Sequence, residues 1–195
     1  MKIGIDIDDT IANTFEKIVE EALSYTRKNI NPNFQLEDAG KTVTNLPYKE
    51  MFGWNDEQDE KFWKEHDFTK IILEITIKEN AAEVIDRLYQ NHEIYLITAR
   101  SQMLGENTEA LTKQWLAKNQ VKYHHFYMNA EEKIDLCLKN KIDLFIDDAY
   151  HHCKKMQENK IKTFMMVSKM NQNIQDHSIP VFHNWKEIGE ELKVI

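Results

Sequence analysis

Residues 3–10 read IGIDIDDT: isoleucines at 3, 5 and 7 run directly into carboxylates at Asp6, Asp8 and Asp9. A second apolar run, IDLFIDD, also ends in acid, at Asp147 and Asp148, and a third, EIYLIT, ends in the hydroxyl of Thr98. Charge is costly to take out of water without a partner, so acids at the ends of buried-looking strands ask for one. If these runs are neighbouring parallel strands, their carboxyl ends converge on one site outside the sheet. Such a site would gather Asp6, Asp8, Asp147 and Asp148 with one hydroxyl and little positive charge. A divalent cation is the economical neutraliser. Hard oxygen donors select Mg²⁺ over softer metals, and Mg²⁺ commonly combines one or two carboxylates with waters and a substrate phosphate. The chemistry expected is therefore Mg²⁺-assisted work on a phosphate.

The elements that must position these residues follow from periodicity. Val84, Ile85, Leu88 and Tyr89 recur at helical spacing, and EIYLIT (93–98) reads as a strand. A helix around Leu111, Trp115 and Leu116, a strand at 124–128, a helix over 131–139 and a strand over 142–148 come next. A helix near 150–159, a strand at 163–167 and a closing helix over 185–192 complete the series. Alternating units of this kind predict an α/β fold: a three-layer Rossmann-like core with a mainly parallel sheet covered by helices on both faces. Residues 13–78 read differently. They are helical in tendency and rich in charge, carry Trp54, Phe62 and Trp63, and are punctuated by Pro32, Gly40, Pro47 and Gly53. They are predicted to form a small inserted helical cap, leaving 1–12 and 79–195 as the core.

Bulk properties narrow the partners. The 195 residues can bury a proper core, and 42% hydrophobic with 30% charged residues is ordinary for a soluble globular chain. Asp6, Asp8 and Asp9 interrupt any signal-peptide core, and no apolar run approaches a membrane span. The two cysteines, Cys137 and Cys153, read as reduced thiols of a cytoplasmic protein. A net charge of −8 argues against a nucleic-acid polymer as partner, so any anion site must be local and focused in a cleft. A homodimer is compatible with the sequence.

The motifs resemble those of the haloacid dehalogenase-like superfamily of aspartate-nucleophile phosphohydrolases. Asp6-Ile7-Asp8-Asp9-Thr10 matches its D-x-D-x-[T/V] motif after an apolar strand, and Thr98 in LITAR matches the Thr or Ser that ends a second strand. A lysine ahead of the last acidic strand corresponds to Lys133 in EEKIDL, preferred over Lys139 and Lys141, and Asp147-Asp148 matches the acidic pair. A single such motif is a weak signal; all of them in order are a strong one. By this resemblance Asp6 is the nucleophile, and Asp8 is the acid and then the base. Asp148 is the metal-binding acid, with Asp147 supporting through water or Lys133, and Asp6 and the Asp8 carbonyl complete the metal's protein ligands. Thr98, Lys133 and the loops containing Asp9, Ala99 and Arg100 contact phosphate, with Lys133 neutralising charge on the nucleophile and the phosphoryl group. Acid at the position of Asp8 favours a phosphatase over the superfamily's ATPase pumps and dehalogenases. The string DIDDTIANT and the short cap resemble deoxyribonucleotidases and their bacterial relatives, which close an aromatic-bearing cap over a base. The implied substrate is a small phosphorylated molecule, a nucleoside monophosphate foremost, with Trp54, Phe62 and Trp63 as stacking candidates by type alone.

Several blander readings stay beside these. Arg100 fits a substrate or phosphate contact and a solvated loop arginine nearly equally. The aromatic trio fits cap core as well as a base platform. His151-His152-Cys153 suits the start of a helix better than a zinc site, because no second ligand pair has the required spacing. His124-His125 suits a strand or its edge. A receiver domain would be shorter, capless and carry its lysine after the last active-site strand, where only Lys169 is available. Functional alternatives are a phosphatase for sugar phosphates and a non-catalytic phosphate or nucleotide sensor that keeps the metal site.

Overall fold

The central strands of this protein are short apolar runs whose side chains are buried from both faces, which only a sheet covered on both sides provides. In the computed structural model, which describes residues 1–35, 48–101, 105–171 and 173–195, six strands form one sheet. They are β1 (Lys2–Ile5), β2 (Glu93–Ile97), β3 (His125–Tyr127), β4 (Leu144–Asp147), β5 (Lys162–Met166) and β6 (Val181–Phe182). Their order is β3-β2-β1-β4-β5-β6, and every neighbouring pair is parallel. The predicted Rossmann-like α/β core is therefore the observed one. The expected strands and helices shift by one or two residues at their ends, and β6 adds a two-residue edge too short to leave a pattern in sequence. Gly40 and Pro47, read above as punctuation, lie outside the described residues.

Strand order reverses at β1, which lies between β2 and β4. This switch point opens a crevice at the strands' carboxyl ends, and Asp6 and Asp147 stand on its two sides. The strands approach closely here. Gly4 faces Phe145 on β4, and a Cβ at position 4 would sit 2.7 Å from the Phe145 ring, so glycine is required for packing rather than for flexibility. Around the sheet, Ile3, Ile5, Leu96, Leu144, Ile146 and Phe164 join Trp115 and Trp185 from flanking helices in the main core.

Among the described residues, the segment between β1 and β2 holds five helices: α1 (Thr14–Asn29), α2 (Tyr48–Met51), α3 (Asp56–Glu65), α4 (Phe68–Glu74) and α5 (Ala81–Tyr89). The first four share a core of their own. On α1, Phe15, Ile18, Ala22 and Tyr25 recur at helical spacing and are buried against Phe52, Trp54, Phe62 and Ile71. Burying large apolar side chains of this kind is worth roughly 1.5–3 kcal/mol each. An Asn55–Gln58 capping box starts α3, which fixes where Phe62 and Trp63 fall on it. The chain enters and leaves this helical segment through a neck. The Asn13 N–H donates to the Thr76 carbonyl at 2.9 Å and the Lys78 N–H to the Ile11 carbonyl at 2.7 Å, with Ala12 bridged to Ile77. Past the sheet, α6 (Thr108–Lys118), α7 (Lys133–Asn140), α8 (Tyr150–Glu158) and α9 (Trp185–Glu191) complete the outer layers.

Candidate active site

Asp6 follows β1 immediately, and its N–H continues the ladder to β4 by donating to the Ile146 carbonyl at 2.9 Å. Its carboxylate is buried, and so are those of Asp147 and Asp148 at the end of β4. Among the described residues these three form the one group of His, Cys, Asp and Glu side chains arranged to hold a metal, with ligand atoms within 4.8 Å of one another. Lys133, the first residue of α7, sends its ammonium between two of them, at 2.6 Å from Asp6 Oδ1 and 2.8 Å from Asp147 Oδ2. Lys139 and Lys141 are exposed. Asp147 spends its other oxygen on the Ala149 N–H at 2.8 Å, at the start of α8.

Three carboxylates thus face one ammonium. Burial pushes the Asp6 carboxyl up to about 7, with Asp147 and Asp8 adding to the rise and Lys133 opposing it. Burial likewise pushes Asp148 well above the usual carboxylate range, followed by repulsion from Asp147, Asp6 and Asp9. The Lys133 ammonium is desolvated too, but attraction to Asp147 and Asp6 outweighs this and holds its proton tightly. The group lacks positive charge and offers only hard oxygen donors, so it fits Mg²⁺ and does not fit a soft metal. His151 and His152 meet with tilted rings, 4.0 Å apart, at the start of α8 outside this cluster, with His152 buried, and Cys137 and Cys153 are buried free thiols.

The Asp8 carboxylate takes another direction. Arg100 grips it with Nε at 3.1 and 2.9 Å from the two oxygens and with Nη2 at 2.7 Å, and the Thr14 hydroxyl donates to Oδ1 at 2.6 Å. Burial would raise the Asp8 carboxyl, but the Arg100 charge and hydrogen bonds, with Thr14, bring it below its ordinary value. Arg100 is itself buried, reaches the Thr112 hydroxyl at 3.3 Å and lies over the Trp115 ring. The solvated-loop reading of Arg100 is therefore corrected: its guanidinium orients Asp8. The Asp8 side chain, committed to Arg100 and Thr14, is not among the clustered metal donors.

Asp9 adopts a left-handed backbone (φ 55°), and its carboxylate accepts the Phe15 N–H at 2.9 Å, tying the turn to the first turn of α1. Any phosphate contact there must come from backbone rather than this side chain. Burial raises the Asp9 carboxyl to about 7, with Asp8 and Glu16 adding to the rise against the Phe15 bond and Lys78. Thr98 is buried at the end of β2, where its hydroxyl accepts the Arg100 N–H at 3.1 Å, and Ala99 is exposed at the cleft wall.

A cavity of about 490 Å³ opens from Asp8, Asp9, Ala99, Arg100 and Ser101 toward the helical segment. Its far wall is Ile18, Tyr48, Trp63, Phe68, Ile71, Ile72 and Ile75. Trp63 stacks on Phe68 at 5.4 Å with rings 7° apart, and Tyr48 meets Trp63 edge-on at 5.8 Å. Trp54 and Phe62 do not line it. Trp54 is buried with its indole N–H donating to the Thr26 hydroxyl at 2.9 Å, and Phe62 is fully enclosed by Tyr25, Trp54 and His66. Their reading as base platforms is corrected: both are core of the helical segment. Type alone could not separate the three aromatics, because facing depends on helix phase and on which neighbours fill the core. Tyr48, Thr14 and Phe68 were missed, because none of them falls in a motif. A hollow of about 820 Å³ at the opposite, amino-terminal edge of the sheet is lined by Met1, His92, Glu93 and His124 and gathers none of the motif residues.

No family model matches the chain. It is 29% identical over 198 residues to a Bacillus cereus protein named "Putative nucleotidase", covering 99% of this chain and 98% of that one. It is 25% identical to a nucleotidase of Clostridium acetobutylicum, over 96% of this chain and 91% of that protein. A haloacid dehalogenase-like family hydrolase from Streptococcus pneumoniae superposes with a TM-score of 0.69 at 14% identity, covering 98% of this chain and 97% of that chain. With the four motifs gathered at the switch point of this sheet and relatives matching end to end, the chain is similar along its whole length to proteins named as nucleotidases and shares its fold with haloacid dehalogenase-like hydrolases.

Proposed function

We propose that this protein is a Mg²⁺-dependent phosphomonoesterase that works through an aspartyl-phosphate on Asp6 and acts on nucleoside monophosphates. The nucleotide part rests on one observation above the others. The cavity beside Asp8 and Arg100 is walled by isoleucines and the Tyr48–Trp63–Phe68 aromatic group, which suits a flat, weakly polar ring better than the hydroxyls of a sugar. Relatives named as nucleotidases that match along nearly the whole chain support the same reading.

The chemistry follows from the side chains. Asp6 and Asp148, with the Asp8 carbonyl, would hold the ion, and Asp147 acts at one remove through Lys133. Bound there, Mg²⁺ would neutralise phosphoryl oxygens and the crowded carboxylates. Lys133 holds Asp6 in place and offsets charge as an Asp6 oxygen attacks phosphorus. The P–O bond to the substrate breaks as the new bond to Asp6 forms, and the leaving oxygen takes its proton from Asp8. Asp8 then accepts a proton from the water that attacks the aspartyl-phosphate, releasing inorganic phosphate and restoring Asp6. Arg100 and Thr14 favour the ionised form that this second step needs. Proton donation in the first step is coupled to a loosening of that grip.

A panel of nucleoside monophosphates and sugar monophosphates, assayed with Mg²⁺ for phosphate release, tests the proposal. Higher kcat/KM for nucleotides supports it. Preference for ring-free or sugar phosphates removes the nucleotide reading, and no turnover of any member or of an aryl phosphate favours a sensor.

A further inference from the structure

Asp148 closes the metal-capable cluster, yet little in its own loop fixes it. Among the described residues its carboxylate receives a long contact from the Thr10 hydroxyl, at 3.5 Å, together with the Ser168 hydroxyl. What fixes its backbone comes from across the sheet. Asn171, in the loop after β5, is buried, and its amide nitrogen donates to the Asp148 carbonyl and to the Met166 carbonyl, both at 2.7 Å. The amide oxygen accepts the Ser168 N–H at 3.0 Å. One side chain thus ties the residue after β4 to the last residue of β5 and to the turn carrying Ser168. Each polar atom of the amide is used, so its orientation is set by the network.

We propose that Asn171 is a positioning residue for the metal site, holding Asp148 at the distance and direction that ion binding needs. Nothing in the motif pattern marks it. A purely structural asparagine would bridge any two carbonyls; this one bridges the backbone of a metal-donor residue and orients the turn whose Ser168 faces that donor's carboxylate. Partners one step removed from the ligands commonly matter about 10–100-fold in metal affinity. The inference rests on the Mg²⁺ reading of the site, and its test separates the two.

Mg²⁺ binding to the purified full chain is measured by titration calorimetry, beside the rise in Tm that Mg²⁺ produces and the Tm without metal. Asn171→Ala should raise the Mg²⁺ Kd about tenfold or more and shrink the Mg²⁺-induced rise in Tm. Asn171→Ser, a milder cut, should fall between it and the unaltered protein, and it decides the matter if the alanine variant does not fold. Lower metal-free Tm with unchanged Mg²⁺ Kd would show a structural residue only and overturn the inference. Absence of Mg²⁺ binding by the unaltered protein would instead overturn the metal reading itself; if the reading holds, the unaltered protein binds Mg²⁺ and Asp148→Asn loses that binding.

Discussion

Arg100 and Asp8 form a two-pronged ion pair across 92 residues of sequence, with Nη2 to Oδ1 at 2.7 Å and Nε at 2.9 Å from Oδ2. The arginine is almost wholly buried and the Asp8 side chain 32% exposed, and the contact sets the direction of the carboxylate and lowers its proton affinity. Asp8 is the proposed acid and base, which gives this contact kinetic consequences.

Removing the guanidinium should raise the Asp8 carboxyl. Where attack of water on the aspartyl-phosphate limits turnover, the ionised Asp8 is needed, so the acid limb of the kcat profile should move to higher pH in Arg100→Ala. Arg100→Lys should move it less, since a charge without the fork remains. An acid limb unmoved by either change would show that Arg100 does not govern Asp8. Asp8→Asn should be inactive on alkyl phosphates and lose less on an activated aryl phosphate in the phosphorylation step, read by rapid mixing. Equal losses on both would count against Asp8 as the acid.

The aromatic residues of the helical segment should separate into two behaviours. Trp63→Ala removes a cavity wall, and since base stacking is worth about 1–3 kcal/mol, kcat/KM for a nucleoside monophosphate should drop tenfold to a hundredfold. A small ring-free phosphate should be hydrolysed nearly as before. Phe62→Ala should cost about 3–5 kcal/mol of stability by opening a void, measured by urea unfolding. If Trp63→Ala leaves nucleotide selectivity intact, the cavity is not the base site.

Much of this was legible in the sequence, and the reasons differ by residue. Asp6, Thr98, Lys133 and Asp147 stand at the ends of apolar runs or just ahead of one, so local pattern and chain order suffice to place them. Asn171 meets Asp148 only because β4 and β5 are neighbours, and no periodicity encodes that pairing. Arg100 lies in a recognisable string, but its partner is set by the turn after Thr98, whose hydroxyl holds the Arg100 N–H. Asp9 looks like one more site carboxylate until its left-handed backbone turns the side chain toward α1.

Lys133→Met should leave Asp6 and Asp147 facing each other without a cation. Breaking a buried pair in this way costs about 3–5 kcal/mol, and activity should fall by orders of magnitude. Mg²⁺ should restore more stability to this variant than to the unaltered protein, as seen in unfolding with and without the ion. Unchanged metal-free stability would mean that the ammonium is not what reconciles the two acids.

His152 supplies a pH dependence outside the chemistry. Burial holds its imidazole down to about 4, with Lys133 and His151 adding and Asp147 and Glu132 opposing. The unfolded chain therefore binds a proton that the folded one refuses between about 6.5 and about 4. Its contribution to stability is complete above about 6.5 and is lost as pH falls through that window. His152→Gln should flatten the loss of Tm on acidification. An equally steep loss in the variant would place the acid sensitivity elsewhere.

The most direct test concerns Asp6 itself. During turnover of a phosphomonoester with Mg²⁺, an acid quench followed by peptide mass spectrometry should find one phosphoryl group on the peptide that carries Asp6, removable by mild alkali as an acyl phosphate is. Asp6→Asn should fold, carry no such group and release no phosphate. Full turnover by Asp6→Asn, or turnover with the unaltered peptide at every quench time and after exhaustive chelation, would contradict both the nucleophile and the metal.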